Sequence, residues 1–161
     1  MQCAYSGSRI CVLSEVVGKQ YAFSSFDVVR GKQGELARID SDGWLDWDLS
    51  PDSSKISIVE NPGDSVRVFE FKSGRSRVIH PIPPQKGLQE AAWSEDGNRL
   101  FVTVFPTSSR GRLLEMDPDG HTHLLLENSG WVGSILPSPD GKHIAFTTAV
   151  DESNVALLEH F

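Results

Sequence analysis

The sequence predicts an all-β chain, a β-propeller of four-stranded blades, on three observations. A turn motif recurs at fixed spacing, an alternating apolar run follows each copy, and a second strand pair completes each unit. Ser50-Pro51-Asp52, Ser94-Glu95-Asp96-Gly97 and Ser138-Pro139-Asp140-Gly141 start 44 residues apart, twice. Such a period, with about four strands per unit, is that of a propeller blade. A β-sandwich with similar hairpins is the competing architecture, and two equal spacings weigh against it.

Each element has a local reason. In Ser-Pro-Asp-Gly, proline presets φ, aspartate can bond its own backbone, and glycine accepts a positive φ. Such a turn joins antiparallel strands. The runs that follow are Lys55-Ile56-Ser57-Ile58-Val59, Arg99-Leu100-Phe101-Val102-Thr103 and His143-Ile144-Ala145-Phe146-Thr147. They alternate and are rich in β-branched and aromatic residues, as strands are. Upstream, Gly18-Lys19-Gln20-Tyr21-Ala22-Phe23 matches Gly141-Lys142-His143-Ile144-Ala145-Phe146 as a fourth, more closely spaced copy. The second strand pairs are 66–71 with 77–79, and 113–116 with 123–126. Leu88 to Trp93 is too short for a helix and runs straight into a turn.

The repeats are expected at about 10–43, 44–87, 88–130 and 131–161 of a single domain. At 44 residues each, 161 residues make about 3.7 blades. The first copy has little room for a fourth strand between Ile39 and Trp44, and Val155 to Phe161 falls where a third strand of the last copy belongs. Three readings stay open: a piece of a larger propeller, a homodimer completing one ring, or a four-bladed ring.

Ser-Pro-Asp-Gly-Lys-His-Ile-Ala-Phe at 138–146 resembles the PD40 or TolB-like relative of the WD40 repeat. The resemblance covers nearly the whole chain, from about Ile10. Ser53 stands where the pattern has glycine and Glu95 where it has proline, so those turns are expected to be less tightly set. The stretches 11–15, 19–27, 34–38, 47–52, 137–141 and 159–161 also resemble the C-terminal propeller of large acidobacterial proteins. There the propeller follows a serine/threonine kinase or winged-helix regulatory domain. The resemblance implies a sensory or interaction module of a bacterial signalling protein.

Composition narrows function by exclusion. Fifteen Lys and Arg against 22 Asp and Glu give a net charge of −7. That balance argues against broad phosphate-driven nucleic-acid binding and adhesion to anionic membranes. No apolar run reaches the roughly 20 residues of a membrane helix, and no signal-peptide pattern opens the chain. Cys3 and Cys11 are too few for a disulfide framework or a zinc site, and Cys11, in an apolar strand, reads as a buried inert thiol.

Motifs of chemistry are weak. Asp40, Asp42, Asp46 and Asp48 put four carboxylates in nine residues, but the EF-hand spacing fails, with Trp44 at the fifth position and Pro51 at the twelfth. A turn followed by a strand with Asp46 and Asp48 on one polar face explains them better. His121 and His123 share a strand face without a third ligand. Gly-x-Ser-x-Gly, Walker and dinucleotide fingerprints are absent. Arg67, Lys72, Arg75, Arg77, Arg110 and Arg112 read as a solvated face, with Arg67 and Arg77 opposed across a hairpin.

The expectation is a non-enzymatic binding or scaffold module without metal or cofactor, engaging a protein, peptide or small ligand. The alternative is an accessory propeller gating substrate to a hydrolase domain. By repeat position the candidate interaction residues are Trp44, Asp46, Trp93, Trp131, Phe105 and Arg110. Buried packing between blades is the competing role for the tryptophans.

Overall fold

The computed structural model describes residues 1–3, 11–41, 43–106 and 110–149. Among them every regular element is a strand. The first sheet holds β1 (Gln2–Cys3), β2 (Cys11–Val17), β3 (Gln20–Asp27) and β4 (Gly31–Asp40). The second holds β5 (Trp44–Leu49), β6 (Lys55–Asn61), β7 (Val66–Glu70) and β8 (Arg75–Ile79). The third holds β9 (Leu88–Trp93), β10 (Leu100–Val104), β11 (Arg110–Met116) and β12 (Thr122–Ser129). The fourth pairs β13 (Trp131–Pro137) with β14 (Ile144–Ala149). Each sheet is an antiparallel meander. Strands β1, β5, β9 and β13 neighbour one another in turn, which makes them the inner strands of a radial array. This is a partial β-propeller.

The three repeat turns share one hydrogen-bond pattern. The Ser50, Ser94 and Ser138 N–H groups donate to the carbonyls of Lys55, Arg99 and His143 at 2.9, 2.9 and 2.8 Å. The serine hydroxyls donate to Asp52, Asp96 and Asp140 at 2.6, 2.6 and 2.5 Å. The aspartates then accept from the N–H two residues on. Ser53 takes the left-handed φ of +60° that Gly97 and Gly141 take at +67°. The turns at Ser53 and Glu95 are therefore as closely bonded as the third, against the looser setting expected of them.

Blades pack through both faces, so their strands are apolar on both. On β6, Ile56 and Ile58 join Val12, Phe23, Ala37 and Ile39 of the first blade in one core cluster. Val59 of the same strand faces the other way, joining Leu88, Trp93, Leu100, Val102 and Met116 of the third blade. Alternation along one strand thus feeds two cores, each fully buried side chain adding roughly 1.5–3 kcal/mol.

The N-terminus departs from the sequence reading in two ways. The fourth strand of the first sheet is not sought between Ile39 and Trp44: it is β1, and it sits innermost. The strand beginning at Gln20 is accordingly third in its sheet, one place further out than its apparent counterpart β14, because the match rested on local turn chemistry that two different hairpins share. Cys11 is no free thiol. It is disulfide-bonded to Cys3, its direct cross-strand partner, since the pairing of β1 with β2 sets the two side by side. The expected third strand from Val155 to Phe161 lies outside the described residues, as do Ile10 and Asp42.

Candidate functional site

A hydrogen-bond ladder joins the inner strands. The Leu49 N–H donates to Gln2 Oε1 at 2.8 Å, and Gln2 Nε2 donates to the Trp47 carbonyl at 2.8 Å. The Ala91 N–H donates to Asp46 Oδ2 at 3.3 Å and the Trp93 N–H to Asp48 Oδ2 at 2.8 Å. The Ile135 N–H donates to Glu90 Oε2 at 3.3 Å. Asp46 and Glu90 hold the same place in the 44-residue repeat, as do Ala91 and Ile135. Each blade thus extends polar side chains that receive main-chain N–H groups of the next. Burial pushes the Asp46 carboxyl up to about 7, the Glu90 charge adding to it while the Ala91 N–H opposes. Burial pushes Asp48 up to about 6 against the Trp93 N–H bond. Asp46 and Asp48 do share a strand face, but that face is a joint between blades and not a solvated surface.

The tryptophans divide by strand end. Trp93 closes β9 and is 7% exposed, its indole Nε1 donating to the Asp48 carbonyl at 3.3 Å and its ring carrying Lys55 Nζ 4.5 Å from the centroid. Trp47 meets Phe23 edge-on at 5.2 Å and donates to Ser14 Oγ at 3.1 Å, tying the first two blades. Trp131 covers Gly133, where an added Cβ would lie 2.0 Å from the ring. Trp44 opens β5 and is 62% exposed. Trp93 and Asp46 therefore take part in the packing and the joint between blades.

Antiparallel order sends connections alternately to two faces. The turns after β5, β9 and β13 lie on one face. The loops after β6 and β10 and the connections into β5, β9 and β13 lie on the other. Trp44, Phe105, Arg110 and Trp131 all fall on this second face.

That face holds a groove of about 910 Å³ bordered by Pro62, Asp64, Arg67, Val78, Lys86 and Phe105. Its floor is built from main chain. Gly63 N–H donates to the Leu88 carbonyl at 3.0 Å, Gly87 N–H to the Gly63 carbonyl at 2.9 Å, and Phe105 N–H to the Gly87 carbonyl at 2.8 Å. Gly87 has φ +80°, and a Cβ there would meet the Phe105 carbonyl oxygen at 2.5 Å. Only glycine allows so close an approach. Phe105 was singled out by repeat position, whereas Pro62, Gly63 and Lys86 were not, because their meeting needs three connections from two blades.

The basic residues are largely paired with carboxylates. Arg67 bonds Glu60 at 2.9 Å, Arg110 bonds Glu127 at 2.9 Å, and Arg112 lies 3.4 Å from Glu127. Arg67 stands opposite Val78 and Arg77 opposite Val68, so the two arginines do not face each other across their hairpin. His121 Nδ1 lies 3.2 Å from Asp117, and His123 stands beside Glu115 in the strand register. Among the described residues no group of three His, Cys, Asp or Glu side chains could hold a metal ion.

Comparison with solved structures places the fold. The chain is similar to TolB from Acinetobacter baumannii, with a TM-score of 0.72 and 17% identity over 91% of this chain and 36% of that one. It is similar to the Kuenenia stuttgartiensis hydrazine synthase, with a TM-score of 0.66 and 17% identity over 97% and 45% of the two chains. It is similar to oligogalacturonate lyase from Vibrio parahaemolyticus, with a TM-score of 0.66 and 14% identity over 96% and 46%. The chain carries a TolB-like propeller fold and spans less than half the length of each of these chains. No protein-family model and no curated protein matches it.

Proposed function

We propose that this chain is a non-enzymatic binding module whose groove between residues 62–65, 86–87 and 105–106 receives a protein or peptide segment. The observation that carries the reading is the main-chain floor from Gly63 through Gly87 to Phe105, which shapes the groove before any partner arrives. A preformed cleft spares a partner the cost of ordering it. Its walls mix apolar surface from Pro62, Val78, Phe105 and Pro106 with charge from Asp64 and Lys86, a composition suited to an extended peptide. By its resemblance to bacterial regulatory propellers, the module is the interaction or sensory part of a signalling protein. Association with a second copy that continues the ring is part of the same proposal, and light scattering over a range of concentrations measures it.

The test of the groove is selection of peptides from a random displayed library, followed by titration of the selected peptides. Phe105→Ala and Lys86→Glu are expected to weaken binding about tenfold each while leaving the melting temperature unchanged. Peptides that bind both variants as tightly as the parent would remove the groove from the reading.

A further inference from the structure

Strand β1 has two residues, and its register with β2 has two pairs, Gln2 with Val12 and Cys3 with Cys11. A strand this short is not held by main-chain pairing alone. Two side-chain anchors supplement it. The Cys3–Cys11 disulfide fixes it to β2, and the Gln2 amide reaches the second blade at the Trp47 carbonyl and the Leu49 N–H. The first anchor positions the second, because the residues are adjacent.

The two sulfurs sit in different surroundings. Cys3 is exposed, whereas Cys11 is 3% exposed beside Val12 at 0%. An attacking thiolate reaches the Cys3 side of the bond. The remaining contacts of this joint do not pass through β1: Phe23 against Trp47, the Trp47 indole on Ser14, and Val12 and Ile39 against Leu45 and Ile56.

We propose that the Cys3–Cys11 disulfide is a redox latch on the innermost strand of the first blade. Oxidised, it holds β1 on β2 and keeps Gln2 in the joint with the second blade. Reduced, it lets β1 leave, removes the Gln2 bonds, and bares the inner edge of β2 while the propeller stands. A bared edge offers unpaired N–H and C=O groups that an extended strand can take up. The reductant is a dithiol. Its thiolate attacks Cys3 Sγ, the S–S bond breaks, and Cys11 leaves as thiolate and takes up a proton. The second thiol of the reagent then resolves the mixed disulfide, freeing the Cys3 thiol and closing the reagent's own disulfide. Two electrons pass from dithiol to protein.

The experiment reduces the air-oxidised chain with dithiothreitol at neutral pH. Thiols are counted by alkylation and mass spectrometry, and amide exchange is followed by peptide. Two thiols are expected to appear with the circular dichroism unchanged. Exchange should rise at least about tenfold in Cys11–Val17 and Trp44–Leu49 and stay as it was in Leu100–Val104 and Arg110–Met116. Gln2→Ala in the oxidised chain should raise exchange at Leu49 alone. Cys3→Ser should reproduce the reduced pattern without reductant, and if that variant fails to fold, reduction of the parent still decides. Free thiols in the air-oxidised chain would overturn the proposal. So would reduction that occurs only with global unfolding, or that leaves exchange in both segments untouched.

Discussion

Asp48 and Trp93, 45 positions apart, are bonded twice. The Trp93 N–H donates to the Asp48 carboxylate at 2.8 Å, and the indole Nε1 donates to the Asp48 carbonyl at 3.3 Å. One residue on the inner strand of the second blade thus holds both the main chain and the side chain of a residue on the inner strand of the third. Removing the carboxylate leaves a buried N–H without its acceptor. Asp48→Ala is expected to cost about 1–3 kcal/mol in urea unfolding, whereas Asp48→Asn, which keeps an acceptor oxygen and sheds the charge, should cost little at pH 8.

The same carboxylates set a pH dependence. Asp46 titrates at about 7 and Asp48 at about 6 in the folded chain, above the ordinary 3.8, chiefly because burial disfavours their charge. The stability linked to them is complete below that ordinary value and is lost as pH climbs through 6 and 7. In the other direction, the Ser94 hydroxyl and Asn98 N–H hold Asp96 low, and the Ser138 hydroxyl and Lys142 N–H hold Asp140 low. Their contribution fails as pH falls below the usual carboxylate range. The melting temperature should therefore peak near about pH 5 and decline toward pH 8. Asp46→Asn should flatten the decline and raise the melting temperature at pH 8. A profile still rising at pH 8 would contradict this assignment.

Ser53 holds a left-handed φ of +60° at a turn position filled elsewhere by glycine. Ser53→Gly keeps the 2.8 Å bond from its N–H to the Ser50 carbonyl and relieves the strain. Denaturant unfolding should show a gain of about 1 kcal/mol.

Two tryptophans of equal standing in the sequence should behave oppositely. Trp93→Ala empties a site between the second and third blades and is expected to cost about 3–5 kcal/mol. Trp44→Ala removes a ring that is 62% exposed and should change stability by less than about 0.5 kcal/mol. Thermal melts of the pair check both.

Gly133 lies under the Trp131 ring, where a Cβ would come within 2.0 Å. Gly133→Ala must displace the indole from its seat. A loss of about 1–3 kcal/mol, with a change in tryptophan emission, is the expected result.

What could be read from the sequence was what is local. The turns at Ser50, Ser94 and Ser138 close within six residues, so their chemistry shows in the residue order. Strand alternation in 55–59 and 99–103 is equally local. The joint between Asp48 and Trp93 was hidden because its partners are far apart in the chain and each bond has main chain at one end. Strand β1 was hidden because two residues show no period. The same locality misled at Gly18-Lys19, where a familiar turn sits in a different hairpin. It also hid the disulfide, since the nearness of Cys3 to Cys11 depends on a strand pairing that nothing in their spacing announces. The groove at Gly63, Gly87 and Phe105 needs three connections at once, so repeat position alone found only its last member.

The ladder between inner strands has one further consequence, for the record that mutation leaves. In each rung a side chain meets a main-chain N–H, from Gln2 to Leu49, Asp46 to Ala91, Asp48 to Trp93 and Glu90 to Ile135. Every amino acid except proline supplies the donor, so these main-chain bonds constrain the acceptor residue and leave the donor's side chain to be set by its packing alone. Selection on these contacts falls on one residue of each pair. Pairwise covariation among descendants of this chain would pass over the bonds that join its blades, and only an intolerance of proline at Leu49, Ala91, Trp93 and Ile135 would betray them.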